Sequence, residues 1–191
     1  MIVGSQLGDQ EAGNPPPTTR SSTTTDDLDS SGNASRDAST GAVDLTGRVT
    51  RVIDGDTVRV EIRGFETTVR LIGIDTPETR KPGAPVQCFG PEASRRAHAL
   101  LSGKRVRLIG DPTQDTRDRF DRLLAYVYVD GAAQSVNYQL VDGGFAKVYV
   151  YPPSGPFRHT TAFLAAESRA RNARRGLWGA PCNRSAPASR P

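Results

Sequence analysis

Histidine, cysteine and tryptophan are scarce in this chain of 191 residues, which has two, two and one of them. His98 and His159 have no partner at zinc-ligand spacing, so a zinc finger is excluded. Cys88 and Cys182 allow one disulfide at most, and such a bond needs an oxidising compartment. Long apolar runs are absent too. The longest clear one, Leu123 to Val129, falls far short of the ~20 residues of a membrane span. The opening MIVGSQLGDQ has neither the basic start nor the apolar stretch of a secretion signal. The expectation is a protein that stays inside the cell, or a chain that starts after a removed leader.

Apolar residues make up 36%, low for a chain folded throughout, so part of it is expected to stay outside the core. The net charge of +4 is unevenly spread. Residues 1–44 carry seven acids against two bases, a net −5, which leaves +9 on residues 45–191. A domain this basic suits a polyanionic partner such as nucleic acid, although the same charge also serves solubility.

The acidic part, with NPPPTTRSSTTTDDLDSSGNAS at its centre, holds too little apolar surface to offset chain entropy. Residues 1–44 are therefore predicted to be a disordered arm or tether, residues 45–182 a folded domain, and residues 183–191 (NRSAPASRP) a flexible tail. Within the domain, period-two alternation predicts strands over Thr46–Ile53 and Thr57–Ile62, and the turn RGFE leads to a third over Thr67–Ile72. KRVRLI and RLLAYVYV read as further strands. Three helices follow the 3.6-residue period. The first is GPEASRRAHALLSG, with Pro91 in its first turn; the second is SVNYQLVDGG, capped by Ser135; the third runs from His159 to Arg175, with Gly176 as its cap. The first three strands are joined too tightly for crossovers. The expected fold is thus mainly β with α (α+β), a small closed barrel with three helices.

Two stretches interrupt this pattern with acids. In RVIDGDTVRV, Asp54 and Asp56 flank Gly55 inside a strand-like run, where neither Asp nor Gly is favoured. In RLIGIDTPET, Asp75 ends the third strand and Pro77 takes the chain out of the sheet. If these strand ends meet, the carboxylates crowd at one rim, and a cation relieves their repulsion. Oxygen ligands without nearby His or Cys favour calcium or magnesium. An EF-hand starting at Asp54 is ruled out, because its sixth and twelfth positions would be Arg59 and Phe65. Taken singly, DGD is more often a turn and DTPE a strand exit. Two arginines shift that balance. Arg70 lies inside the third strand, opposite Val69 and Leu71, and Arg122 opens the strand RLLAYVYV after the charged loop DTRDRFD. One such arginine is ordinarily a structural ion pair; two near an acidic cluster suit a phosphodiester held between guanidinium groups and a cation.

Taken in order, VIDGDTVRV, VRLIGIDTPET, GPEAS, DRFDRLLAYVYVDG, VDGGFAKVYVY and GLW resemble the staphylococcal nuclease (thermonuclease) family over about Thr46 to Trp178. The resemblance implies a five-stranded OB-fold barrel with three helices. It also implies a calcium-dependent phosphodiesterase that cuts DNA and RNA with little sequence preference and leaves 3′-phosphates. By position, Asp56 and Asp75 would bind calcium directly with the Thr76 carbonyl, and Asp54 would stand behind these ligands and position metal-bound water. Arg70 and Arg122 would hold the phosphate, Arg122 also protonating the leaving oxygen, and Glu78 would position the attacking water. Tyr149, Tyr151, Phe120 and Arg119 would contact substrate. The rival for the tyrosines is plain core packing, since alternate residues of KVYVY face opposite ways.

Three departures from the family pattern stand out. Phe120-Asp121 replaces Tyr-Gly, so a positive φ at Asp121 would be costly, and Asp121 is expected to pair with Arg122. The segment after Val148 is one residue shorter. Cys88 and Cys182 are additional, and their places before the first helix and after the last suggest a staple, favouring a secreted or surface-tethered protein. The alternative is two inert thiols in a cytoplasmic or phage-encoded chain. A rival function is a catalytically weak nucleic-acid-binding module of the same fold. A monomer is expected, because no long apolar stripe is left over.

Overall fold

The fold follows from strand alternation closing a sheet on itself. In the computed structural model, the described residues are 43–79, 83, 85–180 and 182; of the expected arm, residues 1–44, those up to 42 lie outside them, as does the tail 183–191, whereas Asp44 already opens the first strand. The strands β1 (Asp44–Val52), β2 (Thr57–Ile62) and β3 (Phe65–Leu71) form an antiparallel meander. With β5 (Arg105–Ile109) and β6 (Leu123–Val129) they make a closed barrel in the order β1-β2-β3-β6-β5. Only β3 and β6 run parallel among these pairs. The inward valines and leucines of the alternating strands, such as Val49, Val58, Val60, Val69, Leu71, Leu108 and Val127, are buried to within 1% and fill the barrel. Closure leaves the barrel with no open sheet edge. The OB-fold α+β architecture with three helices is present as expected.

Helix α1 (Gly90–Leu101) buries Ala93, Ala97 and Leu101 and has Pro91 in its first turn. Helix α2 (Val136–Asp142) is capped as expected, the Ser135 side chain accepting from the Tyr138 N–H. Helix α3 (Thr160–Asn172) buries Phe163, Ala166 and Ala170. Its end differs from the expectation: it stops at Asn172 with Ala173 as cap, and Gly176 instead opens a short 3-10 turn, Gly176–Trp178. The reason is local, since Arg174 already takes a positive φ of 50° and turns the chain first.

Two buried polar side chains lock the layers. Asn137 on α2 accepts from the Val127 N–H (2.9 Å) and donates to the Ile72 (2.9 Å) and Ala125 (3.2 Å) carbonyls. It thereby ties α2 to β6 and to the end of β3. Asp111, just past β5, accepts from the Thr113 N–H and hydroxyl, the Arg158 N–H and the Tyr126 hydroxyl. Burial pushes the Asp111 carboxyl up, but these donors outweigh it and hold it below the ordinary carboxylate value. A short antiparallel pair, β4 (Ile74–Asp75) with β7 (Lys147–Val148), sits outside the barrel and carries Asp75.

Candidate active site

The interruption at Asp54-Gly55-Asp56 is the hairpin between β1 and β2, closed by the Ile53 and Asp54 N–H groups donating to the Thr57 carbonyl (2.9 and 3.2 Å). Gly55 is required by proximity: a Cβ there would lie 2.7 Å from the Thr76 side chain. That close approach brings the loop after β4 onto the hairpin. Both the N–H and the hydroxyl of Thr76 donate to Asp56 Oδ2, at 3.0 and 3.2 Å. Asp56 itself is buried and also accepts from the Thr57 hydroxyl at 3.1 Å.

Arg70 completes the rim. It leaves β3 on the face opposite Val69 and Leu71, and its Nη2 lies 3.2 Å from Asp56 Oδ2 and 3.5 Å from Asp75 Oδ1. Its Nη1 donates to the Leu71 carbonyl at 2.8 Å, which fixes the fork. The two aspartates, nineteen positions apart, therefore share one guanidinium nitrogen. Asp54 joins them through its Oδ1, which accepts from the Asp56 N–H at 3.1 Å. Burial, followed by the negative charge of Asp56, pushes the Asp54 carboxyl up to about 6. The same two causes raise Asp75, against the pull of Arg70 and Lys147. This is crowding of negative charge that an added cation relieves.

The donor set is oxygen throughout, which fits a hard cation in chemistry. Among the described residues no group of three or more His, Cys, Asp or Glu side chains is gathered as a complete metal site. The expected set has two carboxylates and a main-chain carbonyl, so its third ligand lies outside such a group.

Glu78 follows the rim closely enough for its charge to act on Asp75, and its Oε1 accepts from the Thr79 N–H at 2.8 Å. Arg122 sits where the loop from β5 enters β6. The expected partner of Arg122 is corrected here: Asp118, not Asp121, holds it, with Asp118 Oδ2 2.7 Å from Nε and 2.6 Å from Nη2. Asp121 faces Arg117 instead, at 3.4 Å, because its positive φ of 60° turns it away. The costly φ is therefore present. Phe120 is 64% exposed, with Arg119 and Arg122 over its ring at 4.6 and 5.3 Å. Tyr149 and Tyr151 are both about half exposed rather than core residues, at 45% and 44%. The Tyr149 N–H donates to the Gly73 carbonyl at 3.0 Å, which sets it alongside the strand carrying Asp75. Arg70, Asp54, Asp56, Asp75 and Thr76 are thus in direct contact; the Phe120–Arg122 group forms a second cluster.

Sequence reasoning missed three neighbours. Asp118 was one of several acids in DTRDRFD, and its signal is its place four residues before Arg122. Lys147 is the β7 partner of Asp75, a pairing that depends on long-range register. Gln87 had no signal beyond its place next to Cys88. Cys88 and Cys182 are bonded, with Cα atoms 5.7 Å apart. They share with Asp75, Pro77, Gln87, Lys147 and Trp178 the lining of a cavity of about 310 Å³.

Comparison with known proteins finds relatives over most of the folded part. The family model described as staphylococcal nuclease homologue matches residues 68–180, so its match begins within β3 and leaves Asp54 and Asp56 ahead of it. The SPbeta prophage-derived endonuclease YokF of Bacillus subtilis is 42% identical over 137 residues, 71% of this chain and 44% of that protein. The endonuclease YncB of the same organism is 42% identical over 129 residues, 67% of this chain and 59% of that protein. The chain thus spans about half the length of these two Bacillus relatives. The thermonuclease of Staphylococcus hyicus is 36% identical over 137 residues, 72% of this chain and 78% of that protein. With a family match over more than half its length and a barrel rim that unites the acids and Arg70, this chain belongs to the staphylococcal nuclease homologue family.

Proposed function

We propose that the protein is a calcium-dependent phosphodiesterase that hydrolyses DNA and RNA with little sequence preference and leaves 3′-phosphate ends. The observation that carries this reading is Arg70 bridging Asp56 and Asp75. One guanidinium shared by two crowded carboxylates leaves an excess of negative charge for a cation to relieve, and cation and guanidinium together suit an incoming phosphate. Asp56, Asp75 and the Thr76 carbonyl would hold calcium, with Asp54 supporting from behind. The bound ion would supply positive charge beside a phosphoryl oxygen.

The chain's own groups do the rest. Glu78 positions water for attack on phosphorus and draws off its proton. As the new P–O bond forms, the bond to the 5′ oxygen breaks, and Arg122 lies ready to stabilise or protonate that oxygen. Arg70 and Arg122 neutralise the charge that builds on the phosphoryl oxygens. Phe120, Arg119, Tyr149 and Tyr151 offer exposed rings and a cation to bases and flanking phosphates, and ring stacking accepts any base. All these groups come from one chain, so a monomer suffices. The Cys88–Cys182 bond supports export to an oxidising compartment or the cell surface. Among the described residues no helix is long and apolar enough to cross a membrane.

The weaker-turnover reading, a nucleic-acid-binding module, draws on the strong hold of Asp118 on Arg122. Incubation with single-stranded DNA, in calcium and then in chelator, separates them. Digestion in calcium alone is expected; binding without digestion in either condition would favour the module.

A further inference from the structure

Glu78 is not carried by a strand or helix, yet its main chain is fixed from the far end of its own loop. The Glu78 N–H donates to Gln87 Oε1 at 3.0 Å, and the Gln87 N–H donates back to the Glu78 carbonyl at 2.9 Å. Three residues further on, Gly90 at the start of α1 packs against the same segment. A Cβ at Gly90 would lie 3.2 Å from the Glu78 and Pro77 carbonyl oxygens and 2.8 Å from the Thr79 methyl. Gln87 is followed directly by Cys88, which is bonded to Cys182 across 94 positions of sequence. Gln87 and Cys88 are both exposed, and the bond lines the same cavity as Asp75. A solvent-reachable disulfide thus sits one residue from the clamp on Glu78.

We propose that Gln87 is a positioning residue for Glu78 and that the Cys88–Cys182 disulfide holds Gln87 in register. Breaking the bond then slows turnover without removing substrate or calcium. The inference rests on the nuclease reading above. A dithiol reductant opens the bond by delivering two electrons and two protons: both sulfurs become thiols and the reductant closes into its own cyclic disulfide. Glu78 then keeps its charge but loses its fixed place, and a misplaced group costs rate more than affinity.

The test uses the full chain with calcium and a fluorophore-labelled single-stranded DNA oligonucleotide, below the unfolding temperature as followed by circular dichroism. Four samples are compared: oxidised, dithiol-reduced, Gln87→Ala and Gln87→Glu. Gln87→Ala and reduction are each expected to lower kcat about 10-fold, with KM and calcium affinity changed by less than about two-fold. Gln87→Glu keeps the acceptor and should recover most of kcat. Reducing Gln87→Ala should add little, because both changes act through one contact. Hydrogen exchange at the Glu78 amide reads the clamp without activity, and its protection should fall in the reduced and Gln87→Ala proteins. Unchanged protection or unchanged kcat in Gln87→Ala overturns the proposal, as does an equal further loss when that variant is reduced. Absence of calcium-dependent digestion by the oxidised protein would instead overturn the nuclease reading, while the exchange result still decides the clamp. If reduction alone unfolds the chain, Gln87→Ala carries the decision.

Discussion

The candidate site holds two arginines against carboxylates, Arg70 and Arg122, and the two arrangements are built differently. At the barrel rim, Arg70 leaves the interior of β3 and meets Asp56 and Asp75, which stand on a hairpin and a strand fixed by ladder hydrogen bonds. At the other cluster, Arg122 is held by Asp118, four positions before it in the same turn, beside an exposed Phe120 and an Asp121 at positive φ. The first arrangement is a property of the fold: moving it means moving strands. The second hangs on local turn geometry and answers to its own few residues. Chemistry and stability should therefore be coupled at the rim and separable at the turn.

The sharpest test of that separation is Arg122→Ala. Turnover on single-stranded DNA should fall by about 10²–10³-fold, the scale of losing one aligned charge-stabilising donor, while the melting temperature hardly moves. An unchanged rate would remove Arg122 from the site. At the rim the opposite is expected. Gly55→Ala forces a methyl into Thr76, so it should cost about 1–3 kcal/mol in denaturant unfolding and weaken calcium binding together. Loss of one without the other would break the coupling.

The base of the turn region gives a pH test. Asp111 anchors the start of the β5–β6 connection, and its folded carboxyl lies below the ordinary value of 3.8. Its contribution is therefore complete above that value and is lost as pH falls through the lower, folded one. Thermal melts between pH 5 and pH 2, the range over which such carboxylates titrate, should show the wild type losing an acid-dependent increment that Asp111→Asn lacks. Parallel curves would mean that the four donors to Asp111 add nothing. The smallest effect belongs to Asp121→Gly. Relief of the positive φ should raise stability by about 0.5–1 kcal/mol, with little change at the rim. A fall in stability would assign more weight to the exposed Arg117 pair than such pairs normally carry.

The same division governs what was readable from sequence. Alternating valines mark the barrel strands, and Asp56 and Arg70 are legible beside them; Asp75 ends a separate short strand and not the third one as expected, because Gly73 at positive φ turns the chain between β3 and β4. Ser135 and Pro91 announced their helices by local chemistry that survives in any fold. The turn was less legible: DTRDRFD offers three acids to two arginines and Arg122 alike, and only the positive φ of Asp121 turns that acid toward Arg117 and leaves Asp118 to Arg122. Gly176 looked like a helix cap because glycines usually are, yet Arg174 turned the chain before it. Lys147 and Gln87 depend on partners 72 and 9 positions away, contacts that no local pattern encodes.

The central claim is that the rim of β2, β3 and β4 gathers Asp56, Asp75 and Thr76 to hold calcium beside Arg70. A crystal soaked in calcium tests it most directly. The ion should lie about 2.3–2.6 Å from oxygens of Asp56, Asp75 and the Thr76 carbonyl, with the Arg70 fork still turned toward the rim. Calcium bound elsewhere, or bound with either aspartate turned away, would contradict the account.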